Sequence, residues 1–184
     1  MFSKPYKLGI IVGRFQTLHL GHQDIIDRAA ELCSNVGVFI GSSQESGTEK
    51  NPFSYELRKS LIECIYGDRI NIFPLPDIGV GNTSKWGDYI LDNVMQRFGR
   101  QADIFISGKE ERRLDWLSSS AGLGIAEMYI PKSIKISASE LRELFINGDI
   151  KAWMRFTDKR LWPRFDELRG IVLNSYKNKN TASI

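Results

Sequence analysis

Leu8-Gly-Ile-Ile-Val-Gly-Arg-Phe-Gln-Thr-Leu-His-Leu-Gly-His22 decides the fold, because an apolar run ending in glycine hands over almost at once to a helix. Leu8 to Gly13 is apolar nearly throughout, which suits a strand buried on both faces of a parallel sheet. The helix is expected from about Leu20. From Gly21 onward Ile25, Ile26, Ala29, Ala30 and Cys33 recur at helical spacing, and Asp24, Asp27, Arg28 and Glu31 fill the opposite face. Strand and helix together make a βα unit.

The same alternation continues outward. Val36 to Gly41 reads as a strand, Gly47 to Pro52 as a polar loop, and Ser54 to Ile65 as an amphipathic helix with Ser54 as its N-cap. Ile70 to Leu75 and Ile104 to Ile106 read as strands, separated by a glycine-bearing loop and a helix over about Lys85 to Phe98. A weaker strand is expected at Ala126 to Ile130. Helices follow at Ser139 to Phe145 and Pro163 to Tyr176, with Lys177 to Ile184 as a frayed tail. The expected architecture is a doubly wound parallel α/β sheet, Rossmann-like, with C-terminal helices. Without repeats, heptads or low-complexity segments, residues 1–184 read as one domain, whose C-terminal helical segment is 139–176.

A chain of 184 residues buries roughly 70% of the surface its unfolded form exposes, so a core needs no staple. Cys33 and Cys64 both fall on segments that read as apolar helix faces, and their spacing suggests neither zinc nor a disulfide framework. The longest early apolar run is far too short for a signal core or a membrane span, so a soluble, unprocessed, cytoplasmic protein is expected, with no membrane partner. The net charge of +3 is compatible with a polyanionic ligand and decides little.

Both histidines of the chain, His19 and His22, lie where the first strand meets the first helix. Open α/β sheets bind ligands at that place. His19 falls just before the helix and His22 one turn along, so both imidazoles can face the backbone N–H groups that attract phosphate. Gly21 between them keeps the approach open. An α-phosphate under attack gains charge on its nonbridging oxygens, and fixed donors at this spacing suit that charge.

Gly13-Arg14-Phe15-Gln16 followed by His19-Leu20-Gly21-His22 resembles the signature of the HxGH nucleotidyltransferase superfamily. Ile136-Ser-Ala-Ser-Glu-Leu-Arg142 resembles its ISxTxxR element in position and spacing. Ser137 and Ser139 stand before the apolar pattern Leu141, Leu144 and Phe145, so their hydroxyls and the first helical N–H groups form an anion site. Arg142, one turn in, can grip phosphate oxygens bidentately.

Three further segments resemble the archaeal-type nicotinamide-nucleotide adenylyltransferases, so that the likeness runs from about Leu8 to Pro163. The resemblance implies that Lys50, in Lys50-Asn-Pro-Phe-Ser54 ahead of Arg58, reaches the phosphates. It implies a nicotinamide pocket at Asp77, Ile78 and Trp86, and an adenosine contact at Ser107 and Gly108. A cationic ring favours the electron-rich face of an indole.

His19, His22, Arg142 and Lys50 are thus expected to be catalytic. Gly13, Arg14, Phe15, Gly21, Ser107, Gly108, Ser137 and Ser139 are expected to bind ATP. Thr17, Ala138, Ser139 and Lys50 depart from the usual proline, glycine, threonine and arginine of the pattern.

The implied reaction joins nicotinamide mononucleotide (NMN) to the AMP moiety of ATP, with Mg²⁺ arriving on the triphosphate. ATP and NMN are the implied partners, nucleic acid is not, and a homo-oligomer is expected. Alternative acceptors of the same chemistry are phosphopantetheine, flavin mononucleotide, or a phosphorylated alcohol with CTP as donor. A silent nucleotide-sensing module is the alternative of another class.

Gly79-Val-Gly-Asn82 lacks the third glycine of a dinucleotide fingerprint and follows the wrong strand, so it reads as a loop beside the acceptor pocket. Asn82-Thr-Ser84 has the form of a glycosylation acceptor, but no secretory segment goes with it. Lys109 to Arg113 reads as a solvated mixed-charge stretch from which Arg112 or Arg113 could reach phosphate.

Overall fold

The computed structural model describes residues 3–109, 114–131 and 133–181. Strand β1 (Tyr6–Gly13) leads into helix α1 (Leu20–Leu32), as the apolar run and its glycine stop require. The alternation continues through β2 (Cys33–Gly41), α2 (Tyr55–Tyr66), β3 (Asn71–Leu75), α3 (Ser84–Phe98) and β4 (Ile104–Ser107). After β4 come α4 (Ser120–Leu123), β5 (Ala126–Tyr129), α5 (Ala138–Asn147) and α6 (Ile150–Met154). A 3-10 segment at Lys159–Arg164 then leads into α7 (Phe165–Thr181).

All strand pairs are parallel, in the order β3-β2-β1-β4-β5. The chain winds from β1 out to β3 and then crosses back to β4 on the other side, so the winding reverses between β1 and β4. A crevice opens beyond the strand ends at such a reversal. Pro74 is accommodated because β3 is an edge strand, paired only with β2.

Period-two alternation divides the strands between two cores. Ile11, Val38, Ile40 and Ile106 point to a layer containing Ile26 of α1, Leu61 of α2, Leu141 of α5 and Leu168 of α7. Leu8, Ile10, Phe39 and Phe105 point to the opposite layer, where α3 contributes Trp86, Ile90 and Val94 and the loop between β4 and α4 adds Trp116 and Leu117. A Cβ at Gly87 would lie 1.7 Å from the Trp116 carbonyl oxygen, so glycine there is what lets this loop close against α3.

Sequence periodicity missed α4 and α6, which are too short to carry it. Helix α7 continues through Thr181, into the stretch expected to be a frayed tail, because no glycine or proline stands there to stop it. Among the described residues no helix is long and apolar enough to cross a membrane.

The cysteines differ from expectation. Cys33 opens β2 instead of continuing the helix and is buried, while Cys64 is exposed on α2. Burial pushes the Cys33 thiol up to about 11. A maleimide at pH 8 is therefore expected to give one adduct by mass spectrometry in native protein, at Cys64, and a second only in denaturant. Two rapid native adducts would contradict this packing.

Candidate active site

One cavity of about 750 Å³ opens at the β1–β4 reversal, within the size range of roughly 300–1,000 Å³ usual for ligand sites. The first turn, the ends of β2 and β4, the loop after β3 and the start of α5 all line it.

The first turn is held from behind. Gln16, buried, exchanges two hydrogen bonds with the Phe53 backbone: its Nε2 donates to the carbonyl at 3.0 Å and its Oε1 accepts from the N–H at 3.0 Å. Phe15 has a φ of 52° and packs its ring 4.8 Å from that of His22. His19 is the N-cap of α1, its Nδ1 accepting from the His22 backbone N–H at 3.3 Å. The neutral His19 ring then carries its proton on Nε2, as a donor. The two imidazoles stack with centroids 3.8 Å apart and 27° between planes.

Helix α5 brings the second half of the site. Ser137 is its N-cap in a capping box with Glu140, each accepting from the other's backbone N–H. Arg142 is buried against the first turn, Nη1 donating to the Gln16 carbonyl at 2.7 Å and Nη2 to Ser139 Oγ at 3.1 Å. Among the described residues its buried Nε has no hydrogen-bond partner. A guanidinium with a donor left over at a cavity wall suits an anionic ligand. These contacts join stretches 126 residues apart in the chain.

From the other core layer, Trp86 and Trp116 both line the cavity, their rings 6.4 Å apart and nearly perpendicular at 77°. Trp116 Nε1 donates to Asn82 Oδ1 at 3.2 Å, which fixes the second indole. Asp77 and Ile78 are exposed on the loop between, and the Asp77 N–H donates to Gln44 Oε1 at 3.0 Å. Ser107 donates its hydroxyl to the Lys109 carbonyl at 3.0 Å, and Gly108 lies against Ile25 of α1, where a Cβ would be 2.6 Å from Ile25 Cδ1.

The cavity therefore brings together Gly13, Arg14, Phe15, His19, Gly21, His22, Asp77, Ile78, Trp86, Ser107, Gly108, Ser137, Ser139 and Arg142. Lys50 is the exception: it is exposed and lies outside the lining. Its segment closes on itself, Gly47 N–H to the Pro52 carbonyl at 3.2 Å and Thr48 N–H to that of Asn51 at 3.2 Å, and this carries the lysine outward. The buried cation of this region is Arg58 instead.

Sequence reasoning also missed Trp116, which follows a mixed-charge stretch with no periodic signal, and the structural use of Gln16. Arg112 and Arg113 lie outside the described residues. Among the described residues no cluster of three or more histidine, cysteine or acidic side chains could hold a metal.

A cytidylyltransferase-like family model matches residues 10–144. The nicotinamide-nucleotide adenylyltransferase of Thermococcus onnurineus is 28% identical over 170 residues, covering 90% of this chain and 85% of that protein. The protein of the same name from Saccharolobus solfataricus is 39% identical over 88 residues, 45% of this chain and 50% of its own. A bifunctional NMN adenylyltransferase/ADP ribose pyrophosphatase from Francisella tularensis, crystallised with AMP and a manganese ion, superposes with a TM-score of 0.69 over 97% of this chain at 24% identity. This chain spans 54% of that protein, and at this identity the likeness is one of fold.

Proposed function

The chain belongs to the cytidylyltransferase-like family, and from that premise we propose that it joins the phosphate of NMN to the AMP moiety of ATP, giving NAD and pyrophosphate. The reading rests on one cavity lined both by two stacked imidazoles with a buried arginine that has a donor to spare and by two indoles from the other core layer. The first set suits a triphosphate and the second a cationic aromatic ring. Relatives named for this activity match most of the chain.

In the reaction an oxygen of the NMN phosphate attacks the α-phosphorus of ATP in line. The new P–O bond forms as the bond to the β-phosphate oxygen breaks, and pyrophosphate leaves. His19 and His22 donate to oxygens that gain charge, Arg142 and Arg14 grip the departing phosphates, and the start of α5 with Ser137 and Ser139 receives the γ end. Ser107 and Gly108 lie along the adenosine. The nicotinamide ring stacks on Trp86, with Asp77 and Ile78 beside it. No general base is required, because the attacking phosphate is already an anion. Magnesium enters on ATP as part of the substrate, and Lys50 takes no part in this scheme.

An acceptor panel tests the assignment. With ATP and magnesium, pyrophosphate release is expected to have its highest kcat/KM on NMN, with NAD as product. A higher value on phosphopantetheine, flavin mononucleotide, or a phosphorylated alcohol with CTP would replace NMN as acceptor. Tight ATP binding with no release on any acceptor would replace catalysis by sensing.

Trp86→Ala is expected to raise the KM for NMN by about 1–3 kcal/mol, the range for stacking of a base on an aromatic side chain, with little change in the KM for ATP. Equal rises for both substrates would assign Trp86 to packing alone.

A further inference from the structure

Arg58 is fully buried, yet it does not line the cavity. Its guanidinium donates to four backbone carbonyls: Ser54 at 3.1 Å, Arg14 at 2.9 Å, Gly41 at 2.8 Å and Ser42 at 3.0 Å. Among the described residues no carboxylate pairs with it. Burial pulls it down to about 10, so it is charged near neutrality.

A buried charge is a costly way to fill space, and an apolar side chain would pack the same volume more favourably. The placement of its partners gives the arginine another use. Arg14, Gly41 and Ser42 all line the cavity, at the ends of β1 and β2. Two of the residues concerned adopt a backbone that L side chains rarely take: Ser42 itself has a φ of 48°, and Phe15, next to Arg14, has 52°. Such conformations persist where the surroundings over-determine them.

Arg58 holds the Arg14 carbonyl from the α2 side, and Arg142 holds the Gln16 carbonyl from the α5 side. Two buried guanidiniums, one from α2 and one from α5, thus hold the turn Arg14-Phe15-Gln16 at its two ends, and only the second of them reaches the cavity.

We propose that Arg58 is a positioning residue, which sets the first turn and the end of β2 so that Arg14 and the His19–His22 pair meet the triphosphate in register. Only a planar fork with five N–H groups satisfies carbonyls from three separate segments at once. Lysine keeps the charge but lacks the fork. The inference rests on the reading of the cavity as the ATP site.

The test uses the full chain with Arg58→Lys and, as an uncharged counterpart of similar length, Arg58→Met. Both are expected to remain folded at 25 °C by circular dichroism. Amide hydrogen exchange is expected to speed up in peptides spanning residues 13–22 and not in those spanning β4. Turnover per folded molecule is expected to fall by about tenfold to a hundredfold, the usual result of displacing reacting groups by an ångström, with a raised KM for ATP and the KM for NMN within about twofold.

Unchanged turnover per folded molecule, unchanged exchange at residues 13–22, or loss of the fold in both variants would each make Arg58 merely structural and overturn the proposal. Should the wild-type chain itself lack turnover on every acceptor, the functional reading fails separately, and the exchange measurement alone decides whether Arg58 sets the turn.

Discussion

Alanine at His22 is expected to lower kcat by about 10²–10³, the usual effect of removing one preorganised transition-state donor. The expectation follows from where the ring sits: stacked at 3.8 Å on His19, backed at 4.8 Å by Phe15, one turn into a helix whose N-terminus faces the cavity. A ring held this way costs no reorganisation when charge develops on the α-phosphate. The KM for ATP should change far less, because the donation strengthens only as the oxygens become more negative. Steady-state kinetics with saturating NMN separates the two parameters. Near-normal turnover in the variant would remove His22 from the chemistry.

Arg142→Ala is expected to act differently. It deletes the spare Nε donor together with the contacts to the Gln16 carbonyl and Ser139 Oγ, so it weakens both the phosphate grip and the junction between the first turn and α5. Loss of a buried, hydrogen-bonded charge of this kind costs about 2–5 kcal/mol in binding, which predicts a fall in kcat/KM for ATP of about 30-fold to 4,000-fold. Thermal stability should fall as well, since the Gln16 carbonyl loses its partner inside the protein. Arg142→Lys should recover little of the activity, because an ammonium cannot reproduce the fork that reaches Gln16, Ser139 and a ligand together. Full recovery by lysine would mean that charge alone matters at this position.

The parts of this protein that could be read from its sequence are those whose physics is local. The apolar run ending at Gly13, the helical stripe from Ile25 to Ala30 and the Ser54 cap each depend on neighbours within a turn or two, and all appear where expected. The likeness of the first turn and of Ile136 to Arg142 to one superfamily pointed to a shared site, and the contact between Arg142 and Gln16 brings those two stretches to one cavity.

What escaped is tertiary. Arg58 looks like one more polar residue on an amphipathic helix, and nothing in its neighbours announces that it will be driven beneath the ends of β1 and β2. Trp116 becomes part of the cavity only because Gly87 lets its loop close on α3. Lys50 lies outside the cavity lining for the opposite reason, since the local turn between Gly47 and Pro52 carries it outward, which its likeness to a basic position does not show.

The central claim is that the histidine pair and Arg142 serve one triphosphate. A crystal structure with an ATP analogue carrying a methylene between the α- and β-phosphates tests it directly. The account predicts a single analogue in the cavity at the β1–β4 reversal, with His22 and Arg142 both within hydrogen-bonding distance of its phosphate oxygens. An analogue bound elsewhere, or one touching the histidines while Arg142 stays on protein groups alone, would contradict it.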